Sequence, residues 1–193
     1  MKFITVQSDT DLSNPFTTGH IKVAEIMESF AEIEGLQIAG LLTPYGINCT
    51  LTGNTAFFKN VEIQVHRKME NVTTDVIPHR SPYSSIIDLK AEILVGSDAV
   101  KCRIDRRGII RRLRNKLKGY AHITSNDTYV LYSNDSTLGA RISLEDLSSL
   151  GKIDWLEVNN QRIVLRSLFI PDNVPEFVEW SKAIAGIVKR TSS

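Results

Sequence analysis

Residues 58–68, FKNVEIQVHRK, put Val61, Ile63 and Val65 on one side of an extended chain and Glu62, Gln64 and His66 on the other. A repeat of two fits a half-buried β-strand and no helix. One such strand needs partners, because its backbone N–H and C=O groups must be satisfied along both edges. The flanking sequence supplies candidates. LQIAGLL (36–42) and INCTL (47–51) read as strands, parted by Thr43-Pro44-Tyr45-Gly46. Gly53-Asn54 fits a two-residue hairpin turn into the run beginning TAFF. IIDLKAEILV (86–95), AVKCRID (99–105) and DTYVLYS (127–133) follow, each bounded by turn residues. In AVKCRID, Val100, Cys102 and Ile104 alternate with Lys101, Arg103 and Asp105. IDWLEV and QRIVLRSL form a last hairpin joined at Asn159-Asn160.

Helices bracket this β block. KFITVQ (2–7) reads as a first strand and SDTDLSNPFTTG as a loop, with a helix starting near Thr18. Ile21, Val23, Ile26, Met27, Phe30 and Ile33 recur at helical spacing, and Gly35 suits a left-handed C-terminal cap. Ser143 and Asp146 have capping-box spacing before a short helix, about 143–150. A closing helix runs from about Asn173, with Pro175 in its first turn and Phe177, Trp180, Ile184, Ile187 and Val188 as its apolar stripe. Residues 69–82 hold two prolines and no period, and read as the longest loop. Consecutive hairpins with few long crossovers predict an α+β fold: one domain over residues 1–193, a mainly antiparallel sheet flanked by helices.

At 193 residues, with 42% hydrophobic and 23% charged side chains, the chain can build a core without staples, so disorder and coiled coil are disfavoured. Cys49 and Cys102 each lie in an alternating apolar stretch and read as buried thiols; a single disulfide between them stays open, and their spacing forms no zinc motif. The N-terminus reads as a strand rather than a signal peptide, and no run reaches the ~20 apolar residues of a membrane span, which places the chain in the cytoplasm.

Charge is the anomaly. The net charge is only +1, yet RRGIIRRLRNKLKG (106–119) holds seven cations and no acid. From Lys101 to Lys118 there are nine bases and one acid, net +8; the remaining 14 bases and 21 acids sum to −7. Read as a helix over 106–118, at about 100° per residue, the segment gathers Ile109, Ile110, Leu113 and Leu117 on one arc. Arg107, Arg111, Arg114 and Lys118 lie opposite, with Arg112 and Lys116 flanking the apolar arc. Like charges at i,i+4, as in Arg107/Arg111 and Arg112/Lys116, each destabilise an isolated helix by a few tenths of a kcal/mol. Something must offset this, either the chain's own acids, such as those of loops 125–127 and 144–146, or an external anion. Arg107, Arg111, Arg112, Arg114, Lys116 and Lys118 are therefore the candidate binding residues, and an acidic protein or an anionic membrane surface is the expected partner. Nucleic acid is the alternative, although Asn115 is the sole polar reader on the segment and Tyr120 the nearest aromatic.

No nucleotide-binding, metalloprotease, serine-hydrolase or paired-cysteine motif occurs, so no cofactor and no metal are expected. Two histidines sustain an enzymatic alternative. His79 lies between Pro78 and Pro82 in PHRSP, where a stiffened loop could present it beside Ser81. His122 shares a strand face with Tyr120 and precedes Ser125 and Asp127. His20 reads as a capping or solvated residue at a helix entrance, and His66 as exposed on a strand. The reading leans away from an enzyme.

The order of elements adds a resemblance. A helix ending at Gly35, a strand through Gly40, the Gly46-Ile-Asn-Cys-Thr strand, Gly119, a strand around Tyr129, the Leu144–Leu150 helix, the Trp155–Leu165 hairpin and a closing helix together resemble a group of bacterial domains of unknown function. The resemblance implies an α+β fold and a non-catalytic role, often beside a membrane, and it transfers no site residue. The sequence therefore predicts a binding or adaptor domain that works through segment 106–118.

Overall fold

The computed structural model describes residues 4–69, 83–93, 100–108, 115–116 and 119–191. Ten strands form one sheet: β1 (Ile4–Val6), β2 (Gln37–Thr43), β3 (Gly46–Gly53), β4 (Phe58–Met69), β5 (Tyr83–Ile93), β6 (Cys102–Arg106), β7 (Ala121–Ser125), β8 (Tyr129–Ser133), β9 (Ile153–Asn159) and β10 (Arg162–Ser167). Four described helices accompany them: α1 (Pro15–Glu34), α2 (Leu138–Arg141), α3 (Leu144–Ser149) and α4 (Val174–Thr191). The expected α+β architecture is what forms.

The strands lie in the order β1-β2-β3-β4-β5-β10-β9-β6-β8-β7. Only β1 and β2 are parallel, joined through α1; every other pair is antiparallel. The first five strands are neighbours in sequence order. The last five are not, because the β9–β10 hairpin inserts between β5 and β6.

Register explains the core. Ile38, Leu51, Ile63, Leu89, Leu165, Leu156, Ile104 and Leu131 are paired in turn across eight strands, and all are buried. This unbroken aliphatic row faces α1 and α4, whose Phe30 and Phe177 rings meet at 4.2 Å. Each fully buried aliphatic contributes about 1.5–3 kcal/mol. The neighbouring row faces the other way and is polar: Glu62, Lys90, Val164, Glu157, Arg103, Tyr132 and His122. The molecule is thus a sheet with a helical layer on one side and a ladder of charges on the other. Among the described residues, no helix is long and apolar enough to cross a membrane.

Local chemistry sets the ends. The first helix begins at Pro15, ahead of the expected Thr18, because Asn14 terminates the loop: its carbonyl accepts from the Thr17 and Thr18 amides at 2.9 and 3.1 Å. Gly35 closes α1 at φ 68°, with the Leu36 amide donating back to the Ala31 carbonyl at 2.8 Å, as expected of a left-handed cap. The Ser143–Asp146 capping box is present. Gly53-Asn54 is not a two-residue turn. The strands stop at Gly53 and resume at Phe58, and the longer loop is closed by the Asn54 side chain accepting from the Asn60 amide at 2.9 Å. The β9–β10 turn is Asn160-Gln161, one residue later than read, with Asn160 in the left-handed region at φ 54°. Cys49 and Cys102 are free thiols, both buried. Burial pushes each up to about 12, so neither is a thiolate near neutrality.

Candidate functional site

The cationic segment leaves the sheet at the end of β6. Arg106 is the last residue of that strand, and Arg107 and Gly108 are not helical, which corrects the helix start expected at 106. Asn115 and Lys116 are helical. Arg111, Arg112, Arg114 and Lys118 lie outside the described residues, as does His79.

What the segment lies on is clear at both described ends. β6 alternates as the sequence requires, with Cys102 and Ile104 turned to the aliphatic core. The other side is not solvated. Arg103 is 3% exposed and Asp105 fully buried. Arg103 forms a fork on Asp105, Nε to Oδ2 at 2.9 Å and Nη2 to Oδ1 at 3.0 Å, and reaches Glu157 on β9 through Nη1 at 2.5 Å. Its guanidinium also stacks 4.7 Å from the Trp155 ring centroid. Burial disfavours the charge on Arg103, but hydrogen bonds and charge from Asp105 and Glu157 outweigh it, and its pKa is raised.

The lid over this cluster comes from the segment itself. Asn115 is fully buried and donates from Nδ2 to Asp105 Oδ2. Tyr120 is buried beside it, with the Lys101 ammonium 5.5 Å from its ring centroid. Burial, reinforced by the Glu157 charge, pushes the Tyr120 phenol up to about 12. Asn115 is therefore no base reader; its amide is spent on Asp105. On a regular helix it stands about 40° from Arg111 and on the far side from the aliphatic arc. Asn115 itself is thus turned to the sheet, not outward.

The cations at the described ends remain outward. Arg107 is exposed, and its Nη2 donates to the Ser125 hydroxyl at 3.3 Å. Lys116 is exposed. Neither meets a carboxylate among the described residues. The acids that sequence reading offered as internal partners are partly used elsewhere: Asp146 closes the capping box and pairs with Arg190.

The Arg103–Asp105–Glu157 cluster was not anticipated, although its signal was present. An Arg and an Asp two apart in a strand share a face, and a strand central in a sheet has that face covered more often than an edge strand. Among the histidines, His20 lies inside α1 and is fully buried, not a solvated cap, because the helix starts earlier than read. His66 is exposed on β4, as expected. His122 is exposed on the edge strand β7, its ring 6.3 Å from that of Tyr132, with no carboxylate hydrogen-bonded to it among the described residues. No three His, Cys, Asp or Glu side chains converge on a metal position among the described residues.

Neither a protein family nor a curated protein matches the chain. Among solved structures, the crystal structure of the mycobacterial trehalose monomycolate transport factor A, TtfA, is similar at a TM-score of 0.48 and 8% identity, over 87% of this chain and 93% of that one. At that score and identity it carries no functional weight.

Proposed function

We propose that the chain is a non-catalytic binding domain that presents segment 106–118 to an acidic protein surface. One observation carries the reading: Arg107 and Lys116 are exposed and meet no carboxylate among the described residues, while Asp105 and Glu157 are held by Arg103. The anchoring through Asn115 and Tyr120 also favours protein over lipid. A segment fastened to the sheet meets an anionic membrane through charge alone, at about 1 kcal/mol per basic residue. Nucleic acid is disfavoured because Asn115, the only polar reader, is engaged with Asp105.

The test compares the intact protein with a variant carrying Arg107→Glu and Lys116→Glu. The probes are poly-L-glutamate, phosphatidylglycerol vesicles and a DNA duplex, each across a salt series. The expected result is tightest binding to poly-L-glutamate, weakened at least ~10-fold in the variant and falling with salt. Absence of poly-L-glutamate binding, or binding the variant retains, overturns the reading. A steeper preference for DNA, with a log–log salt slope near −0.9 per phosphate contacted, replaces it with the nucleic-acid alternative.

A further inference from the structure

A second arginine is half-buried under different terms. Carrying the β4 alternation one step past Val65 puts Arg67 on the core side, at the end of the aliphatic rows. Its guanidinium lies 4.6 Å from the Tyr83 ring centroid, and Nη1 donates to the Gly19 carbonyl at 2.8 Å. Gly19 allows this approach, since a Cβ there would stand 3.1 Å from Nη2. Arg67 Nε is buried with no hydrogen-bond partner. No carboxylate pairs with Arg67 among the described residues. Its buried neighbour His20, edge-on to Tyr83 at 5.4 Å, has neither ring nitrogen partnered and offers no negative charge. A partly desolvated guanidinium without a counter-ion is costly unless something supplies one.

A cavity of about 380 Å³ opens on this arginine, between α1, the ends of β4 and β5, and the chain leaving β10. Lys22 and Ser85 line it beside Arg67, and Asp172 lines it too. Val23, Ile26 and Ile170 give it an apolar wall. Its size lies within the range of small-molecule sites. We propose that this cavity binds a small amphipathic carboxylate, its charged end on Arg67 and Lys22 and its apolar body against Val23, Ile26 and Ile170. Monoanionic carboxylate suits the site better than phosphate. One guanidinium arm is already spent on Gly19, and the Asp172 carboxylate repels a dianion more strongly than a monoanion. Among the described residues of segment 106–118, none lines this cavity.

The experiment is titration calorimetry of the full chain with octanoate, octanol and inorganic phosphate. Octanoate is expected to bind, and octanol, with the same tail and no charge, to bind at least ~10-fold more weakly. Arg67→Gln is expected to weaken octanoate at least ~10-fold and Lys22→Gln by ~2–5-fold, the latter at an exposed position that does not threaten folding. Should the Arg67 variant not fold, Lys22→Gln and the octanoate–octanol difference decide. The proposal is overturned if octanoate fails to bind, if octanol binds as tightly, if phosphate outcompetes octanoate, or if the folded variants bind octanoate unchanged.

Discussion

Arg103 and Arg67 are both drawn into the protein from β-strands, and they end in opposite states. Arg103 lies on the charged side of the sheet, forked on Asp105, bonded to Glu157 and roofed by Asn115. Arg67 lies on the helical side, stacked on Tyr83 and tied to one carbonyl, with no ion pair among the described residues and beside a cavity that Asp172 also lines. The same residue type thus serves two purposes. A neutralised, roofed guanidinium fixes how a segment docks. One lacking its counter-ion is available to a ligand. Arg103 is also the more buried of the two, but the identity of the neighbours sets its charge balance.

The sharpest break of this contrast removes one partner of the neutralised arginine. Asp105→Ala leaves a buried guanidinium with Glu157 as its remaining carboxylate, and we expect a loss of about 3 kcal/mol in guanidinium chloride unfolding. Replacing both members of the fork, Arg103→Met with Asp105→Leu, should restore part of it, because the charge left over, Glu157, is only half-buried. A loss below about 1 kcal/mol for the single variant would mean the cluster is solvated and the contrast empty.

Arg67→Gln should change stability by no more than about 1 kcal/mol, since a single hydrogen bond to Gly19 is lost along with an unneutralised charge. A loss as large as that of Asp105→Ala would place Arg67 in the structural class and remove the contrast.

His20 sharpens the comparison through pH. Burial, then the Arg67 charge, lowers its pKa below the ordinary 6.5, so the unfolded chain takes up a proton that the folded chain refuses. Its contribution to stability is complete above about pH 6.5 and is lost as pH falls toward the lowered folded value. His20→Phe should flatten unfolding free energy against pH over that window, whereas an unchanged slope would show that His20 titrates alike in the folded and unfolded chain.

The smallest effect belongs to Tyr120→Phe. The Tyr120 hydroxyl is buried without a hydrogen-bond partner, so removing it should leave stability unchanged or raise it by a few tenths of a kcal/mol. Destabilisation above about 1 kcal/mol would show that the hydroxyl is satisfied in solution.

Reading the sequence was most successful where neighbours along the chain decide the outcome. The alternation in β4, the Gly35 cap, the Ser143–Asp146 box and the stripe of α4 are all local, and all appear. Errors clustered at element ends, where a single hydrogen bond moved a boundary. Asn14 moved the start of α1, and the Asn54 contact to Asn60 lengthened a turn read as two residues. For the candidate site, the charge anomaly was visible in the sequence, and Arg107 and Lys116 are both exposed, Lys116 having been read as flanking the apolar arc. The inward turn of Asn115 was not visible, because a helical wheel assigns angles without saying which angle meets the protein.

By itself, the amino-acid order determined the secondary-structure content, the antiparallel α+β class and which residues share each face of a strand, because periodicity of two or 3.6 is a property of the backbone. Only the tertiary structure decided that the β9–β10 hairpin enters between β5 and β6. That insertion brings Glu157 and Trp155 to Arg103. The coverage of the second face of β6 and the surroundings of Arg67 were settled in the same way. Whether a charge is neutralised depends on groups that are close in space but far apart in sequence, and no local pattern records that distance.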